Sequence, residues 1–148
     1  MNSKYFDYNS FFVNAMHIVS SNYPAGCEAE VMKDRSDFLK SNRTISINVG
    51  RQTGKTTSFI RLGNELSNHA NVAMVVMNTE NKKMTKSMGA KFNILTFTDI
   101  KRQLQISGLE KIQFIIIDES EFILFDENRV HDFYKWAKLV NAEFILKT

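Results

Sequence analysis

Thr44-Ile45-Ser46-Ile47-Asn48-Val49 runs directly into Gly50-Arg51-Gln52-Thr53-Gly54-Lys55-Thr56-Thr57, and the stretch from Thr57 to Asn68 that follows has helical character. A β-branched apolar run that delivers a glycine-flanked turn into a helix is the arrangement a phosphate-cradling loop requires. The backbone N–H groups of such a turn point inward, and the helix adds the positive end of its dipole at the same spot. In that geometry Gly54 lets the backbone approach a polyphosphate, Lys55 reaches its outer phosphates and the Thr56 hydroxyl ligates Mg2+. The candidate nucleotide-binding residues are therefore Gly50, Arg51, Gln52, Thr53, Gly54, Lys55, Thr56 and Thr57. The usual spacing, G-x-x-x-x-G-K-[ST], wants a glycine where this chain has Val49, and the first glycine arrives one place later as Gly50. A lone Gly-Lys-Thr also reads as a surface turn capped by threonine, so a second motif has to decide.

That motif is Gln113-Phe114-Ile115-Ile116-Ile117-Asp118-Glu119-Ser120-Glu121-Phe122. The run from Phe114 to Ile117 has no helical periodicity and reads as a strand buried on both faces, as in a parallel sheet. Two adjacent carboxylates at the carboxyl end of a buried strand cost free energy unless they bind something. In an open α/β sheet that end faces the ligand crevice. Asp118 would hold Mg2+ and Glu119 would polarise an attacking water as general base. The competing reading is a strand running out into a solvated acidic turn, since Glu121, Asp126 and Glu127 follow. Taken together, the two motifs predict that Lys55 and the Asp118-Glu119 pair converge on one polyphosphate at the tips of neighbouring parallel strands.

The chain has 148 residues, 43% of them hydrophobic, which suits a single domain with a real core rather than two. Its one cysteine, Cys27, cannot form an internal disulfide and has no His or Asp placed near it in sequence, so it reads as a small packed residue in a reducing compartment. The amino-terminal stretch carries Asp7 and lacks a secretory apolar segment, and no run approaches membrane-spanning length. The expectation is a soluble, cytoplasmic protein with no membrane partner. A net charge of +3 permits a nucleic-acid partner without requiring one.

Residues 1–43 show two helical stretches, about 5–20 and 26–40, separated by Asn22-Tyr23-Pro24. They are expected to form a helical leader packed against the core. From Thr44 onward strands at 44–49, 72–77, 92–97, 112–118 and 142–147 alternate with helices at about 55–68, 80–88, 98–107 and 127–139. That alternation predicts an α/β parallel sheet with right-handed crossovers. Phe12, Ala15, Met16 and Val19 share one helical face, as do Phe59, Leu62 and Leu66, and Phe133, Trp136, Ala137 and Val140. These stripes read as core rather than as base-stacking platforms.

Arg51-Gln52-Thr53-Gly54-Lys55-Thr56-Thr57 resembles the variant phosphate loop of viral terminase large subunits, in which the loop reads Arg-Gln-x-Gly-Lys-Thr with the first glycine displaced or absent. Asp118-Glu119 is similar to that family's metal-and-base pair. The resemblance runs from Thr44 to the last residue and implies a three-layer, RecA-like P-loop NTPase fold of the additional-strand class, shared with superfamily 1 and 2 helicases. It implies ATP and Mg2+ as ligands, with Lys55, Glu119 and Arg51 catalytic and Thr56 and Asp118 holding the metal. Arg51 would act on the γ-phosphate from within the same subunit, or else is a solvated loop charge. Met77-Asn78-Thr79 and Thr96-Phe97-Thr98-Asp99-Ile100 sit where the helicase-like segments contact nucleic acid, and Lys147-Thr148 falls where the motif coupling hydrolysis to motion begins. The chain ends there, so a fifth core strand, a second motor lobe and a nuclease domain are absent from the match. By the family's strand order the phosphate-loop strand would lie at a sheet edge.

Further residues carry weaker expectations. Lys82, Lys83, Lys86, Lys101 and Arg102, with Lys91, concentrate positive charge opposed in that segment by Asp99 alone. They suit sequence-independent contacts to double-stranded DNA, or are ordinary solvated helix faces. Arg129 is a helix-surface arginine or a finger reaching a neighbouring subunit of a homo-oligomer or larger motor. Tyr23 is a packing aromatic or an adenine-stacking group. His17, His69 and His131 make no metal or triad spacing. The leading expectation is an ATPase coupled to DNA. The alternatives are a nucleotide-binding interaction module with little turnover, and a small nucleotide or nucleoside kinase, which lacks the expected arginine-rich lid.

Overall fold

A computed structural model of the chain describes residues 7–48 and 55–148. In chain order they form α1 (Tyr8–Asn22), α2 (Glu28–Met32), α3 (Arg35–Asn42), β1 (Thr44–Ser46), α4 (Lys55–Leu66), β2 (Val72–Val76), α5 (Thr79–Ser87), β3 (Asn93–Thr96), α6 (Phe97–Gln103), β4 (Phe114–Ile117), α7 (Ser120–Ile123), α8 (Glu127–Leu139) and β5 (Phe144–Lys147). The five strands make one all-parallel sheet in the order β1-β5-β4-β2-β3. None of the described helices is long and apolar enough to cross a membrane.

Alternation along each strand feeds two cores. Ala73, Val75, Ile115, Ile117 and Ile145 pack on one face with Leu39 of α3, Ile100 of α6 and Phe133, Trp136 and Ala137 of α8. Val72, Met74, Val76, Ile116 and Leu146 pack on the other with Tyr8, Phe12 and Met16 of α1 and Phe59 and Leu62 of α4. The result is helix, sheet, helix, and it explains why β2 and β4 read as unbroken apolar runs. Each fully buried Phe or Leu contributes roughly 1.5–3 kcal/mol of transfer free energy. The stripes on α1, α4 and α8 are core, as their spacing implied.

Capping chemistry moved several boundaries. The helix expected over 26–40 is two helices, because Asp34 turns the chain and accepts the Ser36 N–H at 3.0 Å to start α3 afresh. The third strand stops at Thr96, whose hydroxyl and Asp99 form a capping box that pulls Phe97 into α6. Helix α7 was not foreseen. The expectation that the loop-bearing strand and the carboxylate strand are neighbours is corrected: β5 lies between β1 and β4 and pairs with both. Strand order depends on where the crossover after β4 returns, and local pattern does not record that. β1 lies at one edge of the sheet, flanked by α1 and α3.

Asp34 also receives Lys138 Nζ at 2.6 Å, tying α3 to the end of α8. That hydrogen bond, followed by those from Ser36, holds the Asp34 carboxyl at about 2 against an ordinary 3.8. The folded-state value is the lower one, so its contribution is complete above the unfolded value and is lost as pH falls through the folded one. Asp34→Asn keeps a capping oxygen and removes the charge. It should lower Tm at neutral pH, with the gap from wild type closing as pH drops from 3.8 to about 2. Melting curves across that range test this, and a gap independent of pH would refute it.

Candidate functional site

Because all strands run the same way, their carboxyl ends share one rim. Residues 49–54, and with them Gly50, Arg51, Gln52, Thr53 and Gly54 of the sequence motif, lie outside the described residues. The described part of the loop begins where α4 does, with Lys55 and Thr56 half-buried and Thr57 exposed.

The Thr56 hydroxyl donates to Asp118 Oδ2 at 2.5 Å, joining two residues 62 positions apart. The other carboxylate oxygen, Oδ1, receives the Thr148 hydroxyl at 3.4 Å. That hydroxyl in turn accepts the Glu119 N–H at 3.2 Å, while the Thr148 backbone pairs with Ile117 O at 3.1 Å and accepts the Ser120 N–H at 2.7 Å. The last residue of the chain thereby fastens the turn that carries both acids. Glu119 itself takes the left-handed conformation, φ 54° and ψ 56°, which costs a non-glycine residue about 1 kcal/mol or more. This lets the chain leave β4 and enter α7 in one step.

Glu119 stands between two clefts. One, of about 390 Å3, is bordered by Ser46, Asn48, Lys55, Lys147 and Thr148. The other, of about 220 Å3, is bordered by Thr56, Asp118, Met77, Asn81 and Met84. Lys55, Thr56, Asp118 and Glu119 are therefore brought together across the tips of β1, β5 and β4. A third cleft, of about 500 Å3 between α3 and α8, contains none of the expected residues. The convergent polar groups are at the rim.

A threonine hydroxyl and a carboxylate oxygen in direct contact form a hard-oxygen pair. Mg2+ takes one or two carboxylates and completes its shell with water and phosphate oxygens, so the pair fits it. Among the described residues no group of three or more His, Cys, Asp or Glu could hold a metal unaided. A metal here would arrive with a polyphosphate.

Other expected residues went elsewhere. Arg129 donates to Ile123 O at 3.0 Å, and its guanidinium lies 4.4 Å from the Phe97 ring centroid and 4.3 Å from that of Phe125. Stacked in this way, it braces the α7–α8 corner instead of reaching out as a finger. The Tyr23 carbonyl accepts from Arg43, just before β1, which puts Tyr23 at the amino-terminal end of the sheet, away from the clefts at the rim; the adenine-stacking reading falls. Lys82 pairs with Asp99 at 3.2 Å, Arg102 with Asp99 at 3.4 Å and Lys101 with Asp132 of α8 at 3.0 Å. Burial pushes the Asp99 carboxyl up, but hydrogen bonds from Thr96 and Lys82 outweigh it and hold the group below its ordinary range. Lys83 and Lys86 stand exposed on α5. Asn78 and Thr96, within the two segments matched to nucleic-acid contacts, use their side chains as helix caps. Thr148 as the anchor of Asp118 could not be read from spacing; the only signal was its place after the last apolar run.

The Thr56–Asp118 hydrogen bond sets up a double-mutant cycle. Thr56→Val and Asp118→Asn should couple by on the order of 1–2 kcal/mol in denaturant unfolding, and strictly additive effects would show that the two side chains do not meet in solution. The chain matches no protein-family model and no curated protein sequence.

Proposed function

We propose that this chain binds a Mg-nucleoside triphosphate, ATP in the first instance, at the rim of its sheet and hydrolyses it, in the manner of a P-loop ATPase. The observation that carries the reading is the meeting of Thr56 with Asp118 at 2.5 Å, beside Glu119 and Lys55. The hydrogen bond leaves a hydroxyl and a carboxylate side by side at the rim, two hard oxygens that one Mg2+ can share. The placement of β1 at a sheet edge agrees with the strand order that the resemblance implies.

In the proposed reaction the polyphosphate lies in the larger cleft, at the start of α4, where the helix dipole and the Lys55 ammonium favour negative charge. Thr56 and Asp118 would hold Mg2+, which when bound neutralises charge on the phosphate oxygens. Glu119 orients a water in line with the γ-phosphorus and takes its proton. As the water oxygen bonds to phosphorus, the bond to the β,γ-bridging oxygen breaks and the electron pair leaves with ADP. Thr148 keeps the two acids apart in role: its hydroxyl donates to Asp118 and accepts from the Glu119 backbone, leaving the Glu119 carboxylate for water. Coupling to double-stranded DNA belongs to the same reading, through Lys83 and Lys86. Lys82, Lys101 and Arg102 would first have to leave their ion pairs.

Phosphate release by the purified chain with Mg2+ and ATP, with and without double-stranded DNA, tests this. Lys55→Ala should abolish nucleotide binding or turnover. Glu119→Gln should retain binding and lose on the order of 10²-fold or more in rate. Wild-type turnover in Glu119→Gln would remove the assigned base. Tight binding without release in the wild type would favour the nucleotide-binding module, and transfer to a nucleoside would make the chain a kinase.

A further inference from the structure

Two lysines border the larger of the two rim clefts, Lys55 from the first turn of α4 and Lys147 from the end of β5. Lys147 is level with Ser46 of β1 and Ile117 of β4, one residue below the tier of Asp118. Side-chain alternation places it. Ile145 belongs to the α3 and α8 core and Leu146 to the α1 and α4 core, so Lys147 leans to the α8 side of the rim, whereas Lys55 comes from the α4 side. A chain of phosphates lying over the tip of β5 would have a cation on each flank.

Lys82, Lys101, Lys111 and Lys138 each pair with a carboxylate. Of the described lysines without an ion pair, Lys55 and Lys147 are the half-buried ones, and both border this cleft. Lys147 is half-buried and, among the described residues, forms no ion pair, although Glu119 and Glu121 border the same cleft. With no carboxylate engaging it, the Lys147 ammonium is left available to an anionic ligand in the cleft.

We infer that Lys147 is the cation that reads the terminal phosphate: it contacts the γ-phosphate, separates triphosphate from diphosphate, and stabilises the charge that develops as the bond to the β,γ-bridging oxygen breaks. This rests on the proposed reading of the cleft as a polyphosphate site. Its consequence is that the described part of the chain carries a positive charge for the reaction beyond Lys55, of the kind an arginine finger supplies at other phosphoryl-transfer sites and that the resemblance assigns to Arg51. The neighbouring Thr148 holds the Asp118 carboxylate and the Glu119 amide, so loss of the terminal phosphate from Lys147 is felt one residue away from both acids.

Affinities for MgADP and for the Mg complex of a β,γ-imido ATP analogue, together with kcat for ATP and Tm, would be measured for wild type, Lys147→Met and Lys147→Arg. Lys147→Met should lose about tenfold or more in affinity for the triphosphate with ADP affinity unchanged, and should lower kcat; Lys147→Arg should recover part of both. An equal loss for the two nucleotides, or a folded Lys147→Met with the wild-type affinity ratio and kcat, overturns the assignment while leaving the parent reading intact. A wild-type chain that binds neither nucleotide removes both.

Discussion

A parallel sheet covered by helices on both faces leaves polar side chains one place to gather, the rim where the strands end. Inside, every position on β2 is buried, as are the last three on β4, and an unpaired charge there would cost several kcal/mol. At the rim the backbone turns away from the sheet and its last groups need partners. Here the tip of β4 is satisfied by the tip of β5 through Thr148, and Asp118 is held between hydroxyls from β5 and α4. The geometry of the candidate site is thus a by-product of finishing the sheet, with the acids positioned by the hydrogen bonds that close it.

The same economy governs the positive charges. A count along the sequence suggested a basic strip between β2 and β4. Folding brings Asp132 of α8 against Lys101, and Asp99 serves both Lys82 and Arg102 while capping α6. Arg129 is spent between two aromatic rings, and Arg43 is buried against Phe38 and Phe144 at the opposite end of the sheet. Among the described residues, Lys55 and Lys147 border one cleft at the rim from two sides. Exposed ion pairs of this kind add little to stability, but they do remove charge from the surface a polyanion would meet.

The α/β pattern and the buried stripes of α1, α4 and α8 were legible in the sequence because period and burial are local properties, set by side chains three or four apart on a helix and two apart on a strand. That Lys55, Thr56, Asp118 and Glu119 gather at one rim was legible for a related reason: a lysine and a hydroxyl at a helix start, and paired acids after an apolar strand, are polar groups placed where parallel strands end. Boundaries that depend on which hydroxyl or carboxylate caps a helix, such as Asp34 and Thr96, were missed by a few residues, since the capping residue is equally at home in a turn.

What the sequence alone determined is a parallel sheet with a cluster of polar side chains at strand ends, and the identity of those side chains. What only the tertiary structure decided is who stands beside whom: β5 between β1 and β4, Thr148 on Asp118, Lys147 across the cleft from Lys55, and Lys101 paired with Asp132 of a helix some thirty positions away. The reason is physical. Strand order and ion pairing are settled by where a crossover connection returns, through contacts between residues far apart in the chain, and no local preference of either partner encodes that choice.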